Sequence, residues 1–152
     1  MKFFKMIILF TILTWFTSCD ESGENLFVFP STPYLGITHT GETGTAPLGD
    51  IDLTDWLDIP EIGIFISAAY PNPTDSVVTL GLTNPNNEKR GLIYLHHQLT
   101  NQIKIVVDEE FLFLAGHYEI RVNLKEMKFQ KGMIRAYFNF GGHISWGDIF
   151  YK

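Results

Sequence analysis

Cysteine and basic side chains are scarce in this 152-residue chain. The single cysteine, Cys19, has no partner for an internal disulfide and cannot alone build a zinc site of the multi-thiolate kind. The 11 lysine and arginine residues are outnumbered by 17 aspartate and glutamate residues, and the formal net charge is −6. A nucleic-acid-binding protein needs a basic surface that displaces the counterions of phosphates, so the sequence excludes this class.

The N-terminal apolar stretch is also too short to cross a membrane. It covers eleven residues, Met6–Phe16, whereas a spanning helix needs roughly 20. Lys2 and Lys5 precede the stretch and small residues follow it, which is typical of an export signal and predicts a signal peptide over residues 1–18. A short membrane anchor or a buried N-terminal helix is the alternative interpretation. Loss of residues 1–18 leaves 9 basic and 17 acidic side chains, a net charge of −8.

The end of this segment, Phe16-Thr17-Ser18-Cys19, resembles a lipobox, although Leu is commoner at its first position and Gly or Ala at its third. Looser lipoboxes are familiar in the phylum Bacteroidota, and Asp20-Glu21 resembles the surface-export signal of lipoproteins from that group. The resemblance implies that Cys19 is lipidated and that the membrane is a partner, with the protein held at the outer membrane or cell surface. Several acyl chains together give stable anchoring. Ordinary Sec cleavage near Ser18 is the alternative.

Residues 19–58 are predicted to form a tether. Glycine, proline, serine and threonine are frequent there, and such a mixture disfavours helices and sheet ladders. The apolar patches 25–29 and 34–37 are candidates for short strands that dock on the domain, or for a peptide that binds a partner. In residues 51–58, Ile51, Leu53 and Leu57 could face one way, but the run is too short to distinguish a strand from a helical turn.

The remaining residues, 59–152, predict an all-β domain. Thirteen Phe, six Tyr and three Trp suit pleated, half-buried surfaces. Short alternating runs separated by turn residues, without helical periodicity, predict an antiparallel, seven-strand immunoglobulin-like sandwich. Gly141-Gly142 is predicted to be a hairpin turn with positive φ. The predicted strands are residues 62–67, 76–83, 91–96, 102–107, 117–124, 132–140 and 144–151.

Three motifs in this domain resemble known β-sandwich modules of Bacteroidota. The first motif is Ala-Tyr-Pro-Asn-Pro-Thr at residues 69–74, which an alternating strand follows. The second, at residues 114–118, resembles a turn into a late strand that both groups of modules share. The third, at residues 138–148, resembles the end of a stand-alone module. The two similar groups are the C-terminal sorting domain of type IX secretion cargo and the immunoglobulin-like domain of the flagellar hook-capping protein. The resemblance implies a fold and no particular chemistry. Within the motif, Asn72 is expected to bond its neighbouring backbone.

No catalytic motif is present: the sequence has no nucleophile elbow and no glycine loop that would hold a phosphate. We therefore predict no enzyme activity, no cofactor and no metal. His96 and His97 point to opposite faces if they lie on one strand, and surface or turn positions are expected for them. Asp108-Glu109-Glu110 lacks the spacing of a calcium loop and is expected to be a solvated turn.

Two further sites are hypotheses. Asp75-Ser76-Val77 resembles an O-glycan acceptor pattern of Bacteroidota, with Ser76 in an exposed turn as the acceptor. Trp146 and Asp148 form a candidate recognition surface in the last strand, and packing of Trp146 in the core or at an edge is the alternative. The function predicted is a non-enzymatic cell-envelope lipoprotein with a binding or assembly module for a protein or glycan partner. A sorting-type module of secretion cargo and an enzyme with an unrecognised site are the alternatives.

Overall fold

The computed structural model describes residues 27, 29–30, 32–33, 35–44, 47–48 and 51–152. The predicted signal peptide and Cys19 lie outside these residues. Within the described part of the chain, the regular structure consists of β-strands, and no helix is long and apolar enough to cross a membrane. The strands are β1 (Phe65–Tyr70), β2 (Val77–Asn84), β3 (Lys89–Arg90), β4 (Leu92–His97), β5 (Ile103–Val107), β6 (Leu112–Phe113), β7 (Gly116–Asn123), β8 (Gly132–Phe140) and β9 (His143–Tyr151).

The predicted all-β class with antiparallel sheets is confirmed. Each predicted strand overlaps an observed strand, and the described residues add two strands of two residues, β3 and β6, that the pattern did not predict. The first strand begins at Phe65 instead of residue 62. Its predicted beginning is a turn closed by two hydrogen bonds between the backbones of Ile59 and Ile64, 2.8 and 3.1 Å long, in which Gly63 has a φ of 71°.

The long strands form two antiparallel sheets. One has the order β1-β2-β7 and the other the order β5-β4-β8-β9, while β3 pairs with β6. The two nine-residue strands β8 and β9 are joined through Gly141 and Gly142, whose φ values are 61° and 89°. The predicted hairpin turn is therefore confirmed, since only glycine adopts these angles readily at both positions.

Both sheets contribute to one hydrophobic core. Val78, Leu80 and Leu82 of β2 are completely buried, as their alternation predicts. The same core contains Ile134 and Phe138 of β8. Because side chains alternate along a strand, the residues between these face the opposite side of their sheet. Burial of these aliphatic and aromatic side chains supplies the main stabilising contribution.

The chain divides into two compact units, Met1–Pro33 and Tyr34–Lys152. In the first, the rings of Phe27 and Phe29 stack with centres 6.5 Å apart. The second begins well before the predicted domain boundary at residue 59. We call the described residues between 35 and 59 the strap. The strap packs on the β-strands, and several of its polar groups form hydrogen bonds with strand backbone, such as that of the Thr40 hydroxyl with the Ala69 carbonyl.

The strap covers the free edge of β9. The backbone N–H of Trp56 donates to the Trp146 carbonyl at 2.6 Å, and the Ser145 hydroxyl donates to the Leu57 carbonyl. The Trp56 ring is buried in the core, where it contacts Gly147. The apolar side chains of this segment, Ile51, Leu53 and Leu57, are exposed, whereas the neighbouring Asp55 and Trp56 are buried. A covered edge cannot pair with another chain.

Beyond the strap, the segment between β1 and β2 closes the rest of the β9 edge. Asn72 lies between Pro71 and Pro73, both preceded by cis peptide bonds. The backbone of Thr74 then pairs in parallel with Tyr151. The chain thus leaves one sheet after β1 and reaches the edge of the other before β2 begins. Such a switch between sheets makes a corner of the fold.

Candidate functional site

The β8–β9 hairpin carries a buried ion pair on its face away from the core. Arg135 and Asp148 are directly opposite in the ladder. Nε of Arg135 donates to Oδ1 of Asp148 at 2.6 Å, and Nη2 donates to Oδ2 at 2.7 Å. The side chains are 2% and 1% exposed. Two parallel bonds of this kind fix both the position and the plane of the guanidinium group.

Burial raises the pKa of the Asp148 carboxyl group from its ordinary value, and the hydrogen bonds and charge of Arg135 oppose that rise. Removing two charges from water costs several kcal/mol, which good geometry and additional hydrogen bonds offset. The pair is therefore sensitive to the loss of either partner.

The ion pair also supports an aromatic ring. Trp146 lies two residues before Asp148 in β9, on the same face of the sheet. The guanidinium carbon of Arg135 is 5.9 Å from the centre of the Trp146 ring, which is a cation–π distance. Asp148 thus holds the cation that packs on Trp146.

Asp55 of the strap joins this network. Its Oδ1 accepts a hydrogen bond from the Thr38 hydroxyl at 2.8 Å, and its Oδ2 accepts the backbone N–H of Asp148 at 3.4 Å. Only 6% of Asp55 is exposed. Burial raises the pKa of Asp55 from 3.8 to about 6, and the bonds from Thr38 and Asp148 partly oppose the rise. Asp55 therefore titrates near pH 6 rather than near its ordinary value.

A cleft lies beside the first half of β9, between that strand and the end of the strap. Its volume is about 440 Å³, which is within the usual range of small-ligand sites. On the strap side of the cleft, the Asp58 side chain is held against β1, because its Oδ1 accepts a hydrogen bond from the backbone N–H of Ile66 at 2.8 Å. We call this the β9 cleft; it is lined by Thr54, Leu57, Asp58, Ile59, Pro60, Glu61, His143, Ile144, Ser145 and Trp146.

The two residues of the predicted recognition surface differ in their exposure to solvent. Trp146 is half-buried and lines the β9 cleft. Asp148 is 1% exposed and bound to Arg135, so a partner at the surface cannot touch its carboxylate. The prediction that Asp148 contacts a partner is wrong for that reason, and its connection with Trp146 runs through Arg135.

Ser76 lies immediately before β2 and is half-buried, rather than in a fully exposed turn. Its backbone N–H donates to the Thr74 hydroxyl at 3.4 Å, and its carbonyl accepts from Leu124. It lines a polar depression of about 370 Å³ together with Tyr70 and Arg121. Its modification stays a prediction.

The histidine pair lies in β4 and not in the following turn. His97 is 1% exposed, and its Nδ1 accepts backbone N–H groups of Leu99 and Thr100, both at 3.2 Å. The expectation of a surface or turn position is wrong for His97 because its side chain faces inward and stacks on Phe129. The adjacent His96 faces the other way, as strand geometry requires.

The acidic run lies in an exposed turn, as expected. Asp108 Oδ1 accepts the backbone N–H of Glu110, and Glu110 pairs with Arg90 at 2.6 Å. Within the described residues, no group of three or more histidine, cysteine, aspartate or glutamate side chains has a geometry that could hold a metal ion.

Three neighbouring side chains, Thr83, His117 and Glu119, have the residue types of a nucleophilic site. The Thr83 hydroxyl is 2.9 Å from Nδ1 of His117, whose Nε2 is 3.7 Å from Oε1 of Glu119. All three lie on the outer face of the β1-β2-β7 sheet, and the His117 and Glu119 side chains are 54% and 58% exposed. Water competes with hydrogen bonds at such a surface, so this line of residues lacks the enclosed surroundings that make acid–base relays effective.

Sequence reasoning missed the role of Asn72. Its side chain bonds backbone far away in the sequence, not its neighbours: Nδ2 donates to the Thr38 and Asp148 carbonyls at 3.1 and 2.8 Å, and Oδ1 accepts from Phe150 at 3.0 Å. Asn72 is completely buried. Its place between two prolines marked it as structural, but no sequence pattern identifies such distant partners.

Searches against models of known protein families, curated proteins and solved structures find no match for this chain.

Proposed function

We propose that the chain is a lipid-anchored protein of the cell envelope whose β domain is a non-enzymatic binding module. The N-terminal pattern supports the first part: a basic start, eleven apolar residues, and small residues before the single cysteine, Cys19. On this proposal the mature chain begins at Cys19 and is held at the outer membrane or cell surface. The partner is a protein or a glycan.

The strand order supports an immunoglobulin-like sandwich as the architecture of that module. In the constant type of such folds one sheet holds strands A, B, E and D and the other holds C, F and G, and variable-type domains add C′ beside C. The orders β1-β2-β7 and β5-β4-β8-β9 correspond to A-B-E and C′-C-F-G. On this assignment β3 and β6 are short additions to a framework of seven strands.

The observation that carries the binding function is the β9 cleft. A half-buried aromatic ring, Trp146, is held by the Arg135–Asp148 ion pair at the wall of a cavity that several polar residues also line. Binding sites combine apolar surface with a few fixed polar groups in this way. The hydrogen-bonded line Thr83–His117–Glu119 lies instead on an exposed sheet face, where water competes with its hydrogen bonds, and this favours binding over catalysis.

Metabolic labelling with an alkyne analogue of palmitate tests the anchor. Labelled wild-type protein and unlabelled Cys19→Ala protein are expected, because Cys19 is the single cysteine. An Asp75→Asn variant, changed at an exposed position, serves as the matched control and keeps its label. Equal labelling of wild type and Cys19→Ala, or an unlabelled wild type cleaved near Ser18, contradicts the lipid anchor.

A sorting-type module is the second candidate, favoured by the resemblance of residues 69–74 and 114–118 to such domains. A secretion reporter fused to the chain separates the two proposals. Export that depends on residues 62–152 supports sorting, whereas unchanged export after their deletion supports the binding module.

A further inference from the structure

We propose that the β9 cleft binds a neutral saccharide, with one face of a sugar ring stacked on Trp146 and its hydroxyl groups bonded to Asp58 and Glu61. This inference rests on the binding function proposed above and names its ligand class. The saccharide assignment follows from which ligand groups the Trp146 side and the Asp58–Glu61 side of the cleft favour and which they disfavour.

The Trp146 wall favours a ligand that presents C–H groups. An indole ring offers a large, rigid apolar face with little loss of side-chain entropy on binding. Trp146 is restrained by the neighbouring guanidinium of Arg135, which Asp148 holds through two hydrogen bonds. A sugar ring has one face of C–H groups that fits a flat aromatic surface, and hydroxyl groups around its edge that need polar partners.

A cationic ligand fits this ring less well. Arg135 already lies 5.9 Å from its centre, where its charge is attracted by the negative face of the ring. A second cation on the same ring meets the charge of Arg135 across a short distance. The position over the ring that Arg135 occupies is therefore closed to a lysine or arginine side chain of a protein partner.

An anionic ligand is disfavoured by the opposite wall. Asp58 and Glu61 line the cleft, and none of the described residues that line it is a lysine or arginine. Phosphate, sulfate or uronate groups would be repelled by the two carboxylates. Neutral hydroxyl groups instead donate to carboxylate oxygens, and such charge-assisted hydrogen bonds are stronger than neutral ones.

The polar groups are placed for several hydroxyl contacts. The Asp58 carboxylate is held by a hydrogen bond of 2.8 Å from the Ile66 backbone N–H. Thr54 and His143, which also line the cleft, can donate or accept hydrogen bonds. The Ser145 hydroxyl is already engaged with the Leu57 carbonyl. The cleft thus has two acceptors, two adaptable groups and one aromatic wall.

Isothermal titration calorimetry of the full chain in detergent tests the proposal. The probes are neutral oligosaccharides derived from glucan, xylan and mannan, a sulfated and a uronate oligosaccharide, and a lysine-rich peptide. We expect binding of a neutral probe that weakens about tenfold or more in Trp146→Ala, as for an aromatic residue at the centre of an interface. Glu61→Gln, an exposed change that leaves the fold intact, should weaken binding by a smaller factor. Phe65→Ala, at an aromatic residue 51% exposed on the other sheet, is the matched control and should bind like wild type.

The outcomes separate this inference from the proposed function. Absence of binding to every neutral probe, or preferred binding of an anionic probe, overturns the saccharide assignment. Binding of the peptide that is lost in Trp146→Ala overturns the ligand class but supports a binding module. A neutral probe bound equally by wild type, Trp146→Ala and Glu61→Gln overturns the site. The thermal unfolding midpoint of each variant, followed by far-ultraviolet circular dichroism, distinguishes loss of the site from loss of the fold.

Discussion

The side chain of Asn72 is bonded to the backbone of Asp148, 76 residues later in the chain, with its Nδ2 atom 2.8 Å from the Asp148 carbonyl oxygen. The same side chain accepts the N–H of Phe150, so one amide group takes the place of a neighbouring strand at the edge of β9. This contact joins the segment between β1 and β2 to the hairpin that carries the ion pair and Trp146.

Replacement of Asn72 should therefore destabilise the domain. Asn72→Ala leaves buried backbone groups without partners, at about 1–3 kcal/mol for each group, so we expect a loss of roughly 3 kcal/mol. Asn72→Asp should be worse despite its similar size, because a carboxylate oxygen then faces the carbonyls of Thr38 and Asp148. Urea denaturation gives both values. A smaller loss for Asn72→Asp than for Asn72→Ala would show that the contacts with these carbonyls are unimportant.

Loss of one partner of the buried ion pair should be costly. Asp148→Asn leaves the charge of Arg135 buried without compensation, and a loss of about 3–5 kcal/mol in unfolding free energy is expected. The double variant Arg135→Met with Asp148→Leu should recover most of that loss, because no charge remains buried. The exposed pair Arg90–Glu110 is the control: Glu110→Gln should change stability by less than about 1 kcal/mol. A double variant as unstable as Asp148→Asn contradicts this account.

Stability should depend on pH through Asp55. Its pKa in the folded protein is about 6, above the ordinary 3.8, so the folded state holds the proton more firmly. The stabilisation of the folded state that results from this firmer proton binding is complete below pH 3.8 and is lost as the pH rises through about 6. Relative to Asp55→Asn, the wild type should therefore gain stability when the pH is lowered from about 7 to about 4. Denaturation of both proteins across this range measures the difference; a constant difference would contradict the raised pKa.

Gly147 should not tolerate a side chain. A Cβ atom there would overlap the ring of Trp56, so Gly147→Ala must displace either the ring or β9. Overpacking of this kind typically costs about 1–3 kcal/mol. Gly36→Ala is the matched control, since its Cβ would meet only the Asp52 carboxylate at 3.7 Å. Thermal unfolding should show a lowered midpoint for Gly147→Ala alone, and equal midpoints would argue against the packing of Trp56 on β9.

The strands were largely predictable because period-two alternation depends on local burial. Val78, Leu80 and Leu82 fill the core as their spacing predicts, and the glycine pair between β8 and β9 forms the expected turn. The first strand was misplaced because the apolar run after Pro60 contains a turn at Gly63, whose positive φ a hydropathy pattern does not reveal.

The candidate site was less predictable. Trp146 was a candidate from its position in the last strand, but Asp148 was assigned to the surface because alternation alone does not show which outward-facing residues become covered. Asp55 and Trp56 were missed because their burial depends on the strap lying against β9, a contact between parts of the chain some 90 residues apart. The partners of Asn72 were predicted wrongly for the same reason, since Thr38, Asp148 and Phe150 are distant in the sequence.

The sequence alone thus determined the class of fold, the approximate extent of the long strands and the prediction of a lipid anchor at Cys19. These follow from local properties: alternation of apolar side chains, the angles open to glycine, and the order of basic, apolar and small residues. The tertiary structure alone decided that Asp148 supports Trp146 through Arg135, that the strap and Asn72 close the edge of β9, and that a cleft forms beside them. Those features depend on contacts between distant segments, which no local pattern encodes.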